Sequence, residues 1–292
     1  MSSDASVSEE ENSESGDAQE LLVLSDIHVG KVHGRLSSIR QFFQRKDGGP
    51  NYERCTEIVE TILGNNTYKP KKTDILLLGD ITEHGRAEEY DKATEALYPL
   101  KEAGFTVHMV PGNHDYGTHG NIYQEEAHTN FLSFASQFSD KNYYPKKVEY
   151  DGWKLLLVDS TAHQGRGSTF ARGRIGTNQL AWLKAEVMEQ KKAVVALHHH
   201  PFDRNLFLKM SDADQFKDAV DRARVSVVFG HRHEFQRFKG LTRWDATGVA
   251  LGKCTSDEVK NVFPGIVFDP INQRIVSGPK QWLKATPKKP SP

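Results

Sequence analysis

Only two cysteines occur in 292 residues, Cys55 and Cys254, too few for a disulfide framework or a thiolate zinc site. No run approaches the ~18 apolar residues of a membrane span, so no membrane partner is expected. The opening stretch MSSDASVSEEENSESGDAQE has neither a basic start nor an apolar core, and does not read as a secretory signal. Together these absences point to a reduced, cytoplasmic setting. A Gly-rich Walker loop is also missing, which argues against a nucleoside triphosphatase. There is no internal repeat, and no linker interrupts residues 21–278.

Basic residues are absent from residues 1–20, which hold seven acids and leave the rest of the chain near +6 against an overall −1. A Ser- and Glu-rich segment cannot bury enough surface to offset its ordering entropy, so residues 1–20 are expected to form a disordered acidic tail. Residues 279–292, rich in Pro and Lys, are expected to fray. A body of mild positive charge suits an anionic substrate.

Between the tails, short apolar runs alternate with amphipathic stretches. The runs Leu21–Leu24, Ile75–Leu78, Phe105–Val110, Trp153–Val158, Ala193–Leu197 and Val225–Phe229 have the length and branching of buried strands. Residues 53–63, 87–102, 177–190 and 212–223 read as helices with one apolar face. This alternation predicts an α/β fold with parallel strands and covering helices, two sheets packed together in one domain over 21–278. Asp151-Gly152 signals a hairpin. Beyond residue 230, Val249–Leu251, Val262–Phe268 and Arg274–Ser277 read as strands of a meander.

The chemistry follows the strands. Asp26-Ile27-His28, Gly79-Asp80, Gly112-Asn113-His114-Asp115, His198-His199-His200-Pro201 and Gly230-His231-Arg232-His233 each stand behind an apolar run. Open α/β sheets bind ligands at the C-terminal ends of their strands. Asp, Asn and neutral His are hard or borderline donors suited to a pair of metal ions, with Mn, Fe, Zn and Co all compatible. The i, i+2 spacing of Asp26 with His28, and of His231 with His233, puts both side chains on one side of an extended segment. One carboxylate, Asp80, can bridge two ions about 3.5–4 Å apart.

In this order the five motifs resemble the calcineurin-like metallophosphoesterases, over roughly residues 21–270. The resemblance implies a four-layer α/β/β/α sandwich of two mixed sheets, and two divalent or mixed-valence metal ions. It implies Asp26, His28, Asp80 and His233 around one ion, with Asp80, Asn113, His199 and His231 around the other. His114 takes the place of the proton donor to the leaving oxygen. The stretches from Gly79 through Tyr90 to Asp115, and Gly176–Leu183, are similar to the class III cyclic-nucleotide phosphodiesterases. Glu83-His84-Gly85 and Asp115 depart from the protein Ser/Thr phosphatases, whose pattern has an Arg as phosphate clamp. The implied reaction is hydrolysis of a small phosphodiester such as a 3′,5′-cyclic nucleotide by metal-activated water. A nuclease or a phosphomonoesterase on the same core is the alternative, and a metal-free scaffold the third reading. A nuclease would show a basic, aromatic-studded surface or an added domain, so a nucleic-acid partner is not favoured.

The other histidines have simpler readings. His108 sits inside an apolar run and reads as a core residue. His198 and His200 flank the expected ligand and, by alternation, turn away from it into packing roles. His33, His84, His119 and His163 fall in loops near the same edge. Arg166, Arg172 and Arg174 form a basic loop.

Overall fold

Strands that are apolar on both faces must be covered on both, and two such sheets satisfy this by packing on each other and taking helices outside. The computed structural model describes residues 15–16, 20–30, 49–118, 122–139, 143–161, 172–203, 208, 210–222, 224–238, 247–250 and 265–277. The first sheet runs in the order β14 (Arg274–Ser277), β13 (Ile266–Asp269), β2 (Glu20–Leu24), β3 (Thr73–Leu77), β4 (Val107–Met109). In it β2, β3 and β4 are parallel, and β13 runs antiparallel to both neighbours. The second sheet runs β1 (Ser15–Gly16), β7 (Lys146–Tyr150), β8 (Trp153–Leu157), β9 (Lys192–Ala196), β10 (Val225–Phe229), β12 (Thr247–Ala250), β11 (Gln236–Phe238). Here β8, β9, β10 and β12 are parallel. A ribbon of β5 (Gly117–Thr118) and β6 (Ile122–Tyr123) stands apart.

Strand alternation divides the interior into three layers of apolar contact. Leu22, Leu24, Ile75, Leu77, Val107 and Met109 face α1 (Gly49–Gly64), α2 (Ala87–Glu102) and α3 (Glu125–Ser136). Their neighbours Leu21, Val23, Leu76 and Leu78 turn the other way, against Leu155, Leu157, Val194, Ala196 and Val228 of the second sheet. On its outer face Leu156, Val195, Leu197, Val227 and Phe229 pack on α4 (Thr177–Met188) and α5 (Ala213–Val220). The result is the α/β/β/α sandwich. In α2, Tyr90, Ala93, Ala96, Leu97 and Leu100 are the buried stripe, and Glu89 reaches back toward the backbone of Arg86 to close the first turn.

Three expectations change. The late strands do not form one meander: β13 and β14 pair antiparallel as consecutive strands, but β12 joins the second sheet parallel to β10 while β13 lies in the first sheet beside β2. The apolar runs there match either sheet, and only long-range pairing assigns them. Helix α3 was not expected, because Thr129, Asn130 and Ser133 dilute the apolar face of Ala127, Phe131, Phe134 and Ala135. At the N-terminus, Glu20 opens β2 with its N–H on the Lys72 carbonyl, and Ser15–Gly16 pair with Glu149–Tyr150. These residues are strand rather than tail. The rest of the acidic stretch, residues 278–292, His33, His119, His163 and Arg166 lie outside the described residues. The Asp151-Gly152 turn joins β7 to β8 as expected.

Candidate metal centre

The parallel strands of both sheets end on one edge of the sandwich, and the five motifs meet there. From the first sheet, β2 runs into Asp26 and His28, and β3 into Asp80. Backbone pairing continues past the strands, from the His28 N–H to the Asp80 carbonyl at 2.8 Å. Asp26, His28, Asp80, His231 and His233 all take positive φ, between 50° and 74°. Asp and His are among the few residues with a side chain that tolerate this conformation. Gly112 is required by contact: a Cβ there would overlap the Asp80 carboxylate and amide.

Two groups of donors converge, and Asp80 belongs to both. Asp26, His28, Asp80 and His233 place one ligand atom each within 4.8 Å of one another, as do Asp80, His198 and His231. The Nε2 atoms of His28 and His233 face each other at 3.1 Å, and His233 Nε2 lies 3.3 Å from Asp26 Oδ1. Asp80 Oδ2 is 3.5 Å from His28 Nε2 and 3.3 Å from His198 Nε2. Asn113 Oδ1 sits 3.1 Å from His198 Nε2 and 3.0 Å from His231 Nδ1. Asp26, His28, Asp80 and His198 are fully buried, whereas His233 is exposed and Asn113 and His114 are half-buried, so the centre opens on their side.

The charge balance suits a cation site. Burial alone would raise the Asp26 carboxyl, but its hydrogen bond to His233 and the nearby imidazoles bring it down to about 2. Burial would lower His198, yet the Asp80 carboxylate beside it lifts it to about 9. Burial lowers His28, and lowers His231 to about 3. Two ionised carboxylates stand beside the neutral imidazoles of His28 and His231, while His198, held protonated by Asp80, has to release its proton for an ion to take its place.

His199, expected as a ligand, is absent from both groups. Its Nδ1 lies 3.0 Å from Ser160 Oγ, and Gly173 lies against its ring. The inward neighbour is His198, whose Nδ1 reaches the Leu78 carbonyl of the other sheet at 2.7 Å. On β9, Val194 and Ala196 face the inter-sheet core while Val195 and Leu197 face the helices, so residue 198 continues the inward row. Strand parity was the signal, but with both faces apolar it does not announce which row is inward.

Several supporting contacts were also missed. Glu83 places Oε2 2.8 Å from His28 Nδ1, and Ser25 donates from Oγ to Asp26 Oδ2 at 2.5 Å. His114 donates its backbone N–H to Asp80 Oδ1 at 2.9 Å, and its Nδ1 lies 2.8 Å from the Glu83 carbonyl. A carbonyl only accepts, so Nδ1 carries a proton and Nε2 is left to exchange one. His84 pairs with Glu89 at 2.9 Å, and His200 accepts the Phe202 N–H at 3.1 Å, both away from the two donor groups. His108 is a core residue held by Asp74 and Tyr150. Arg172 and Arg174 are exposed.

Asp115 braces the loops that carry Asp80 and His114. It accepts the N–H groups of Ile81 and Thr82 at 3.0 Å and of Gly112 at 2.9 Å, and burial raises its carboxyl to about 6. Asp115→Ala strands those donors, each worth about 1–3 kcal/mol when buried without an acceptor. Urea unfolding is expected to show a loss of about 3 kcal/mol or more. An unchanged midpoint would mean the loops hold themselves.

A sandwich that gathers two carboxylate and imidazole clusters at its strand ends defines a dimetal hydrolase. A family model described as calcineurin-like phosphoesterase matches residues 20–235, and the chain belongs to that family. It is a metal-dependent phosphoric ester hydrolase working with two divalent ions. A 3′,5′-cyclic adenosine monophosphate phosphodiesterase of Vibrio vulnificus is 27% identical over 230 residues, 73% of this chain and 69% of its own length. A probable glycerophosphodiester phosphodiesterase of Arcobacter nitrofigilis is 27% identical over 180 residues, 61% of this chain and 56% of its own. A dimetal phosphatase from Danio rerio shares the fold, with a TM-score of 0.60 at 14% identity over 86% of this chain and 92% of that one. Among the described residues no helix is long and apolar enough to cross a membrane.

Proposed function

We propose that the chain hydrolyses a small phosphodiester, a 3′,5′-cyclic nucleotide foremost. The observation that carries the reading is one buried carboxylate, Asp80, shared by two donor groups on an open strand edge. Asp26, His28, Asp80 and His233 would hold one ion, and Asp80, Asn113, His198 and His231 the other. His198 takes the place that the sequence pattern assigned to His199. Bound there, two ions polarise the phosphoryl oxygens and lower the pKa of water toward about 7. The chain's own part is to fix the donors, to admit the ester past Asn113 and His114, and to protonate the leaving oxygen from His114 Nε2. The likeness to a cyclic-nucleotide phosphodiesterase supports this substrate class. Glycerophosphodiesters are the second reading, favoured by the other relative.

A metal-reconstituted panel tests the reading, comparing 3′,5′- and 2′,3′-cyclic nucleotides, glycerophosphodiesters, bis-p-nitrophenyl phosphate, p-nitrophenyl phosphate and single-stranded DNA. Preference for DNA or for the monoester would overturn it. For His114→Ala, turnover of cyclic nucleotides is expected to fall about 10²–10⁴-fold with metal content retained. The loss on bis-p-nitrophenyl phosphate is expected to be much smaller, because p-nitrophenolate departs without a proton. Equal losses on both substrates would assign His114 to positioning the phosphate.

A further inference from the structure

Beside the metal centre, on the same edge, lies a cavity of about 720 Å³ that the hydrolytic chemistry does not use. It is lined by Tyr116, Tyr143, Tyr144, His128, Asp159 and the start of α4 with Asn178. Topology fixes its place. The donor groups stand over β2 and β3 of one sheet and β9 and β10 of the other. Tyr116 follows β4, Tyr143 and Tyr144 precede β7, and Asp159 follows β8, the next strands outward in each sheet. Neighbouring strands are about 4.8 Å apart, so the cavity begins within one or two strand spacings of the donors. Tyr116 is two residues past His114, and Ser160, next to Asp159, bonds His199.

We propose that this cavity seats a nucleobase, the planar heteroaromatic part of the ester, so that the phosphate reaches the metal centre. The inference rests on the phosphodiesterase reading above and names the alcohol part of its substrate. The volume lies within the range of about 300–1,000 Å³ usual for small-molecule sites. Aromatic side chains stack on any base through its π-face, and amides hydrogen-bond its edge. Tyr143, in the lining, is 62% exposed, so its ring has a face that a stacked base would cover. Asn178, also in the lining, is exposed. Asp159 is engaged by the Tyr116 hydroxyl at 3.1 Å and the Thr161 N–H at 2.7 Å. A carboxylate so occupied is not an anchor for a cationic alcohol.

Binding of adenosine, which has no phosphate, to the metal-loaded full chain isolates the cavity from the chemistry. Calorimetry or saturation-transfer NMR should detect it, with affinity lowered about tenfold in Tyr143→Ala and also reduced in Asn178→Ala. The same variants should lower kcat/KM for cyclic nucleotides relative to ring-free glycerophosphodiesters. Absence of adenosine binding, or equal binding by wild type and both variants, overturns the inference. Turnover of ring-free diesters without adenosine binding would leave the phosphodiesterase reading standing and remove this one. Adenosine binding sensitive to Tyr143, without turnover of any diester, would do the reverse.

Discussion

Asp80→Ala should abolish turnover of every phosphate ester, by on the order of 10³-fold or more, and should lower metal content at both positions. A single side chain faces both donor groups, so its removal acts on each. It also strands the His114 N–H that Asp80 Oδ1 accepts, so the residue proposed as proton donor loses its anchor. Metal analysis of the purified variant, with circular dichroism to confirm folding, checks the expectation. A folded Asp80→Ala protein with two tightly held ions and full activity would end the dimetal assignment. Partial loss confined to one ion would show that Asp80 is a terminal ligand rather than a shared one.

The contrast between His198→Ala and His199→Ala is the second large effect. His198 touches Asp80, Asn113 and His231, and its loss should remove one ion and about 10²–10³-fold of activity. His199 touches Ser160 and the segment at Gly173, and its loss should leave both ions in place while lowering stability by about 1–3 kcal/mol. Metal content and urea midpoints, measured on both variants side by side, separate the two. The reverse pattern would restore the sequence-based placement of the ligand at 199.

That pair also marks how far a sequence reading reaches. The sequence places Asp26, His28, Asp80, Asn113, His231 and His233 at the strand ends where the donors gather, because each follows an apolar run, with a glycine or a fixed spacing setting its phase. The triple histidine has no such marker. Leu197 and Ala196 are equally apolar and equally buried, so nothing local tells which row faces the second sheet. Strands and helices were recovered where apolar periodicity is strong, as in β10 and α2. Helix α3 was lost where polar residues dilute the stripe. The partition of β12 and β13 between sheets depends on pairing with residues far away in sequence, and composition carries no trace of it. Glu83, whose Oε2 lies 2.8 Å from His28 Nδ1, stands out in the sequence only as a departure from the Ser/Thr phosphatase pattern, because the contact forms only when the fold brings the two loops together.

The left-handed backbone at Asp26, His28, Asp80, His231 and His233 restricts the mutational alphabet of the centre twice over. Metal binding admits Asp, Glu, His, Asn and Cys at such positions, and the positive φ admits chiefly Gly, Asn, Asp and His. The two lists share only Asp, Asn and His. Glutamate has the chemistry of aspartate as a ligand, but its longer side chain and its backbone preference both count against it. Under the proposed ligand set, drift at these five positions has few neutral paths, and exchanges among these three amino acids are the ones that meet both demands.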